Sequence, residues 1–310
     1  MSVIENALRK LRRTAGPAGA GHATSQRSIN AHAVLPISPV DVTSFATRRI
    51  AVDLSRLRAE GYLPAPARER LLADCYREIK RPVIQRAIAP ESTAEQRVIM
   101  ISSALPGEGK TFTSVNLALS IAREHDVCVL LVDADLAMSE VSRIFGIRDE
   151  PGLLNALSDD SIDAESLVLH TDIPGLEIMA SGAGNSTAGS PERRAELIAS
   201  CRMNQVADQL GRRNHRRLVL MDSPPVLVSS EARALLRIPG QILLVTRSGQ
   251  TPQQALVDAI AAVDKHRLHG LVLNDANLSS GNPYYYGHGY ANYAARRDEN
   301  ASEAEIRDAN

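Results

Sequence analysis

The stretch Arg97-Val98-Ile99-Met100-Ile101-Ser102-Ser103-Ala104-Leu105-Pro106-Gly107-Glu108-Gly109-Lys110-Thr111 decides how the rest of the chain reads. Its opening is short, apolar and β-branched, which reads as a buried strand. Behind it Phe112, Val115, Leu119 and Ala122 recur at helical spacing, so the residues between form a strand-to-helix turn. Gly107 and Gly109 let backbone N–H groups close around a phosphate, and the helix N-terminus adds positive potential. Lys110 is placed to reach the β- and γ-phosphates of a nucleotide, and Thr111 to offer a hydroxyl to Mg²⁺. The run Pro106, Gly107, Glu108, Gly109, Lys110, Thr111 and Phe112 is therefore the expected nucleotide contact. One position departs from the G-x-x-x-x-G-K-[ST] pattern, which starts here with Ala104.

Outward from this turn, apolar segments at 97–102, 127–133, 175–180, 217–222, 241–247 and 269–274 alternate with helical patterns. That alternation predicts an α/β fold of the P-loop NTPase kind, a mostly parallel sheet covered by helices on both faces. Ligands of such sheets sit beyond the C-terminal ends of the strands, and polar signals fall there. The second strand ends in Asp133-Ala134-Asp135 and the fourth in Asp222-Ser223-Pro224-Pro225. An apolar strand ending in Asp beside a phosphate loop is a common way to hold Mg²⁺. A single such Asp serves equally well as a helix cap, but two of them beside a phosphate loop are hard to read as caps. Asn274 ends the last strand, where its amide can read an adenine edge or simply close a turn. The segment Thr187 to Arg217 reads as a solvated helix carrying Arg193, Arg194, Arg202, Arg212 and Arg213.

Composition narrows the partners. A formal net charge of -1 over 310 residues gives no electrostatic reason to bind nucleic acid, and with no Trp and three Phe there is no base-stacking platform. The cysteines, Cys75, Cys128 and Cys201, fit no metal or disulfide spacing, as expected for a reducing cytoplasm. No segment reaches the roughly 18 consecutive apolar residues of a membrane helix, so membrane association is expected to be peripheral.

At the N-terminus, residues 1–13 place Val3, Ile4, Ala7, Leu8 and Leu11 on one helical face, with Arg9, Lys10, Arg12 and Arg13 gathered at its end. Such a basic amphipathic helix can lie on an anionic membrane, dock on a partner or pack on its own domain, and it lacks the apolar core of an export signal. Residues 14–47, rich in Ala, Gly, Ser and Pro, read as a flexible linker. A helical arm over 48–90 follows, in two pieces. The first holds Ile50, Leu54 and Leu57; the second shows Leu71, Leu72, Cys75 and Ile79 as its apolar face and is expected to break at Pro82. The core is expected over 91–278. The tail, 279–310, holds five of the chain's seven tyrosines, Tyr284, Tyr285, Tyr286, Tyr290 and Tyr293, among glycines that disfavour a stable element.

Together, Ala104-Leu-Pro-Gly-Glu-Gly-Lys-Thr111, Leu130-Leu-Val-Asp-Ala-Asp-Leu136, Leu220-Met-Asp-Ser-Pro-Pro225 and the tyrosine cluster resemble the bacterial tyrosine kinases (BY-kinases). More narrowly, the chain resembles the exopolysaccharide tyrosine autokinases of exosortase loci. Val-Ile-Glu-Asn-Ala-Leu near the N-terminus, Tyr76-Arg-Glu-Ile-Lys-Arg-Pro82 and Thr246-Arg-Ser-Gly-Gln-Thr-Pro252 carry that narrower likeness.

The resemblance implies ATP- and Mg²⁺-dependent autophosphorylation on tyrosine, controlling exopolysaccharide polymerisation and export. Lys110 and Thr111 match the Walker A lysine and Mg²⁺-binding hydroxyl, and Asp222 the Walker B aspartate. Asp133 and Asp135 match the family's second Walker motif, with Asp133 as a further Mg²⁺ ligand and candidate base for the tyrosine hydroxyl. The tail tyrosines are the implied phosphoacceptors. The implied activator is a membrane-embedded polysaccharide chain-length (co-polymerase) protein, which places the chain in the cytoplasm at the periphery of the inner membrane.

Two departures stand out. Ala137-Met138-Ser139 replaces the family's basic residues and Pro, and the oligomerisation motif Glu-x-x-Arg-x-x-Arg reads Asp74-Cys-Tyr-Arg77-Glu-Ile-Lys80. A homo-oligomer through residues 70–85 is still expected, although Lys lacks the bidentate geometry of Arg. The rival reading is a Min- or Par-type ATPase switch without kinase activity, for which a cluster of acceptor tyrosines has no use. A nucleotide-binding scaffold without turnover is disfavoured by the presence of Lys110, Asp133 and Asp222.

Overall fold

The computed structural model describes residues 48–182 and 190–276. The expected helix at 1–13, the linker at 14–47, residues 183–189 and the tail tyrosines lie outside the described residues. In chain order the elements are β1 (Arg49–Ile50), α1 (Leu54–Ala59), α2 (Pro66–Ile88), β2 (Val98–Ser103), α3 (Lys110–Ala122) and β3 (Cys128–Asp133). There follow α4 (Glu140–Ile144), α5 (Leu153–Ser158), β4 (Leu169–Thr171), β5 (Leu176–Met179), α6 (Pro191–Ala199) and α7 (Cys201–Arg212). The last are β6 (Arg217–Asp222), α8 (Ser230–Leu235), β7 (Gln241–Arg247), α9 (Gln253–Ala262) and β8 (Leu268–Asn274).

The strands form one sheet in the order β1-β4-β5-β3-β6-β2-β7-β8. Every neighbouring pair is parallel except β4 with β5. The segments read from sequence as strands are all strands. The short strands β1 and β4 at one end of the sheet were not foreseen, and Ile50, assigned to the helical arm, pairs with Thr171 instead.

Both faces of the central strands are buried, which is why their sequences are continuous apolar runs rather than alternating ones. Val98, Met100, Leu130, Val132, Val219, Met221, Ile242 and Leu244 share one core cluster with α5 to α9. Their neighbours Ile99, Ile101, Val129, Leu131, Leu218, Leu220, Leu243 and Val245 fill a second cluster with α1 to α4. The period of two thus divides each strand between two layers of helices.

Three expectations about the helices are corrected. Helix α2 continues through Pro82 without a break. Its buried stripe is Tyr76, Lys80, Val83 and Ala87, while Leu71, Leu72, Cys75 and Ile79 are only half-buried. Pro82 and Glu78, whose carbonyl loses a partner to the proline, both lie on the exposed face, where water can satisfy that carbonyl. The stripe packs against α3, and Lys80 secures the contact. Its Nζ donates to the Ser120 carbonyl at 2.6 Å and pairs with Glu124 at 2.7 Å, at the C-terminal end of α3 where a cation is favoured. Finally, the Arg-rich segment is two helices meeting at Ser200, and Arg202 is not solvated. It donates to the carbonyls of Ala156 at 2.9 Å and Ile162 at 2.8 Å.

Candidate functional site

Strand order and register bring the sequence-distant motifs to one edge. β2, which feeds the phosphate loop, lies between β6 and β7, and β3 lies beyond β6. Ile101 pairs with Asp222, Asp222 with Asp133, and Ser103 with Val245. The chain departs from β2 toward β3 on one side and reaches β7 on the other, so the loop sits at the reversal of strand order where α/β sheets bind ligands.

The loop takes its shape from two glycines. Gly107 and Gly109 have φ of 78° and 93°, left-handed angles that other residues resist. A Cβ on Gly109 would also fall 1.9 Å from the Asn274 amide nitrogen. Ala104, the departure from the motif, is buried in the core, and its carbonyl accepts from the Leu227 N–H at 3.3 Å. Glu108 also faces inward. One of its oxygens accepts from the Leu105 N–H at 2.8 Å and the other from the Thr251 hydroxyl. Asn274 donates to the Glu108 carbonyl at 3.0 Å. Side chains of Glu108, Thr251 and Asn274 thus brace the loop from behind, and Phe112 is half-buried on the first turn of α3.

Asp222 is fully engaged. Thr111 donates to its Oδ2 at 2.7 Å and Ser114 to its Oδ1 at 2.8 Å. Thr111 and Ser114 are one helical turn apart and share a face of α3. Burial pushes the Asp222 carboxyl up to about 6, against the Thr111 bond and the charge of Lys110.

Asp133 sits differently. Its Oδ2 accepts both the backbone N–H and the hydroxyl of Ser142, at 2.7 and 2.6 Å, whereas its Oδ1 is buried without a partner. Burial pushes its carboxyl up to about 7, with the charges of Asp222 and Asp135 adding to the rise and the Ser142 bonds opposing it. Asp135 is also buried and raised by burial, held by the Met138 N–H at 3.1 Å and opposed by the charge of Lys110.

These donors suit Mg²⁺. Among the described residues no group of three or more His, Cys, Asp or Glu side chains forms a metal cage. Mg²⁺ is instead usually held by one or two carboxylates with substrate phosphates and waters. Thr111 Oγ1, Asp222 and the orphaned Oδ1 of Asp133 offer hard oxygens of that kind. A buried, unpartnered carboxylate oxygen beside a second buried carboxylate calls for a cation.

Sequence reasoning missed Ser114, Thr251 and Ser142. Ser114 was within reach, since it follows Thr111 by one turn. Thr251 lies within a stretch quoted for resemblance alone, and Ser142 had no local signal, being nine residues beyond Asp133 across an irregular turn. The tail tyrosines lie outside the described residues.

No protein-family profile matches the sequence. Over 196 residues, 62% of this chain, it is 32% identical to the tyrosine-protein kinase YwqD of Bacillus subtilis, and the match covers 78% of that protein. It is 31% identical over 191 residues to the tyrosine-protein kinase ptk of Acinetobacter johnsonii, a match covering 61% of this chain and 25% of that protein. The chain therefore spans about a quarter of the length of that larger relative. The kinase domain of the Escherichia coli tyrosine kinase ETK superposes with a TM-score of 0.56 at 26% identity, covering 70% of this chain and 80% of that one. The VpsO kinase domain gives a TM-score of 0.55 at 28% identity, covering 69% of this chain and all of the other. At that identity and coverage of YwqD, the chain belongs to the bacterial tyrosine-protein kinases.

Proposed function

We propose that this chain transfers the γ-phosphoryl group of ATP to tyrosine hydroxyls, including those at Tyr284, Tyr285, Tyr286, Tyr290 and Tyr293 of its own tail. The observation that carries the reading is the pair of buried carboxylates, Asp133 and Asp222, beside the phosphate loop in a chain of this family. Backbone N–H groups of the 106–111 loop and Lys110 hold the β- and γ-phosphates in line. Asp222 and Thr111 would hold Mg²⁺, with Asp133 beside them, and the ion would supply charge neutralisation for the transferring phosphoryl. Asp133, whose carboxyl burial raises in the metal-free site, is placed as the proposed acceptor of the tyrosine proton, and Asp135 adds a second carboxylate next to Lys110. Asn274 serves the nucleotide indirectly, through the loop it braces. The family supports kinase chemistry over a hydrolysing Min- or Par-type switch.

We further propose that the chain regulates exopolysaccharide polymerisation or export from the cytoplasmic periphery of the inner membrane. Its activator would be a membrane-embedded chain-length protein, and it would assemble through residues 70–85. Among the described residues no helix is long and apolar enough to cross a membrane. The basic amphipathic pattern of residues 1–13 is what supports the proposed attachment. Within 70–85 the exposed charges are Arg70, Asp74, Arg77, Glu78 and Arg81, because Lys80 faces inward. Its partners on α3 leave the proposed assembly contact to the other five. The test uses purified protein with Mg-ATP and a variant with all five tail tyrosines changed to Phe. Wild type should accumulate phosphotyrosine, and the variant should lose most of it while binding nucleotide equally well. Undiminished phosphotyrosine in the variant would move the acceptors elsewhere.

A further inference from the structure

Ser142 lies outside every motif of this chain, yet it makes both of the hydrogen bonds that Asp133 accepts. Its hydroxyl is oriented by a third contact. The Ser181 N–H donates to Ser142 Oγ at 2.9 Å, occupying a lone pair, and the hydroxyl proton then points along the 2.6 Å line to Asp133 Oδ2. The Ser142 to Ser181 hydroxyl separation is longer, 3.3 Å. All three residues are completely buried, so no water competes for these bonds. The consequence is asymmetric. One carboxylate oxygen is held twice by Ser142 and the other, Oδ1, is left buried and unpartnered on the strand that pairs with Asp222.

The element carrying Ser142 is itself clamped. Helix α4 has only five residues and little stability of its own. Arg143 binds Glu140 at 2.9 Å and Glu60 at 2.7 Å, and the Tyr62 hydroxyl donates to Glu140. Arg56 reaches the Arg143 carbonyl at 3.3 Å, and Asn116 of the phosphate-loop helix holds the Tyr62 carbonyl at 2.8 Å. α4 is thus fixed against both α1 and α3.

We propose that Ser142 is a positioning residue for the phosphoryl-transfer site, holding Asp133 through Oδ2 so that Oδ1 faces the metal and the acceptor. The inference rests on the kinase reading above and concerns how its carboxylate is set. The test compares Ser142→Ala, Ser142→Thr and Ser181→Ala with wild type in phosphotyrosine formation, affinity for a fluorescent ATP analogue, and melting temperature. Ser142→Ala keeps the backbone bond but loses the hydroxyl, so kcat should fall about tenfold, the low end for a hydrogen bond to a charged group. Nucleotide affinity should stay within about twofold, because Ser142 touches the carboxylate and not the phosphate loop. Ser142→Thr restores a hydroxyl and should recover most of the loss. Ser181→Ala keeps its N–H and the Asp133 bonds, and should retain near-wild-type kcat. An unchanged kcat in Ser142→Ala overturns the proposal. So does a loss that Ser142→Thr fails to recover, or one that Ser181→Ala matches, since either makes the cluster mere packing. Wild type without phosphotyrosine would instead refute the kinase reading, and the analogue affinity and melting data separate the two failures.

Discussion

Asp222 and Asp133 face each other across neighbouring strands and are both buried, yet they are held in opposite ways. Each oxygen of Asp222 has a hydroxyl donor from α3, the helix that the phosphate loop itself starts. Asp133 has both its donors on one oxygen, from a short helix kept in place by residues 56–62, and none on the other. The first carboxylate is built by local sequence and is finished before any ligand arrives. The second is built from distant pieces and keeps one buried oxygen without a partner. A saturated carboxylate positions; a half-held one is available to bind or to accept a proton.

The largest effect should come from the group that both carboxylates serve. Lys110→Met removes the charge nearest the transferring phosphoryl and should lower phosphotyrosine formation by roughly a hundredfold or more, with melting nearly unchanged. Asp222→Asn comes next. An amide cannot accept from Thr111 and Ser114 as a carboxylate does, so the Mg²⁺ concentration giving half-maximal rate should rise about tenfold. If Asp133→Asn raised the Mg²⁺ requirement more than Asp222→Asn, the roles assigned to the two would be exchanged.

pH separates them in another way. The Asp133 pKa rises from 3.8 to about 7 on folding, so between those values the folded state holds a proton that the unfolded state has shed. The stability this contributes is complete at acid pH and is lost as pH rises through 7. Metal-free wild type should therefore melt lower at about pH 8 than at about pH 5.5, and Asp133→Asn should shrink that difference. Asp222 adds a smaller part of the same sign. The smallest effect belongs to the clamp. Arg143→Ala frees α4 at a partly exposed site and should lower kcat by about threefold without weakening nucleotide binding.

The same contrast explains what the sequence made legible. β2, β3, β6 and β7 announce themselves because burial on both faces demands unbroken apolar runs, and the phosphate loop does so because its glycines and lysine are contiguous. β1 and β4 are strands of two and three residues, Arg-Ile and Leu-His-Thr, too short and too polar to show a period. Pro82 misled because the helix-breaking rule weighs only the local backbone, whereas packing of Tyr76, Val83 and Ala87 on α3 decides the outcome. Arg202 and Lys80 look like solvated charges in sequence, and only their carbonyl partners on other elements reveal them as ties. Asp133 was found from its motif, but the residue that aims it was not, since Ser142 reaches it through tertiary structure alone.

The central claim is that this site moves phosphate to protein rather than to water. Purified wild type and Lys110→Met are incubated with Mg-ATP, ADP production is followed, and phosphate is mapped by intact mass and peptide fragmentation. The account predicts phosphate additions on wild type located among Tyr284, Tyr285, Tyr286, Tyr290 and Tyr293, and none on Lys110→Met. ADP formed by wild type with the protein's mass unchanged would contradict it, and would make the chain a hydrolysing switch.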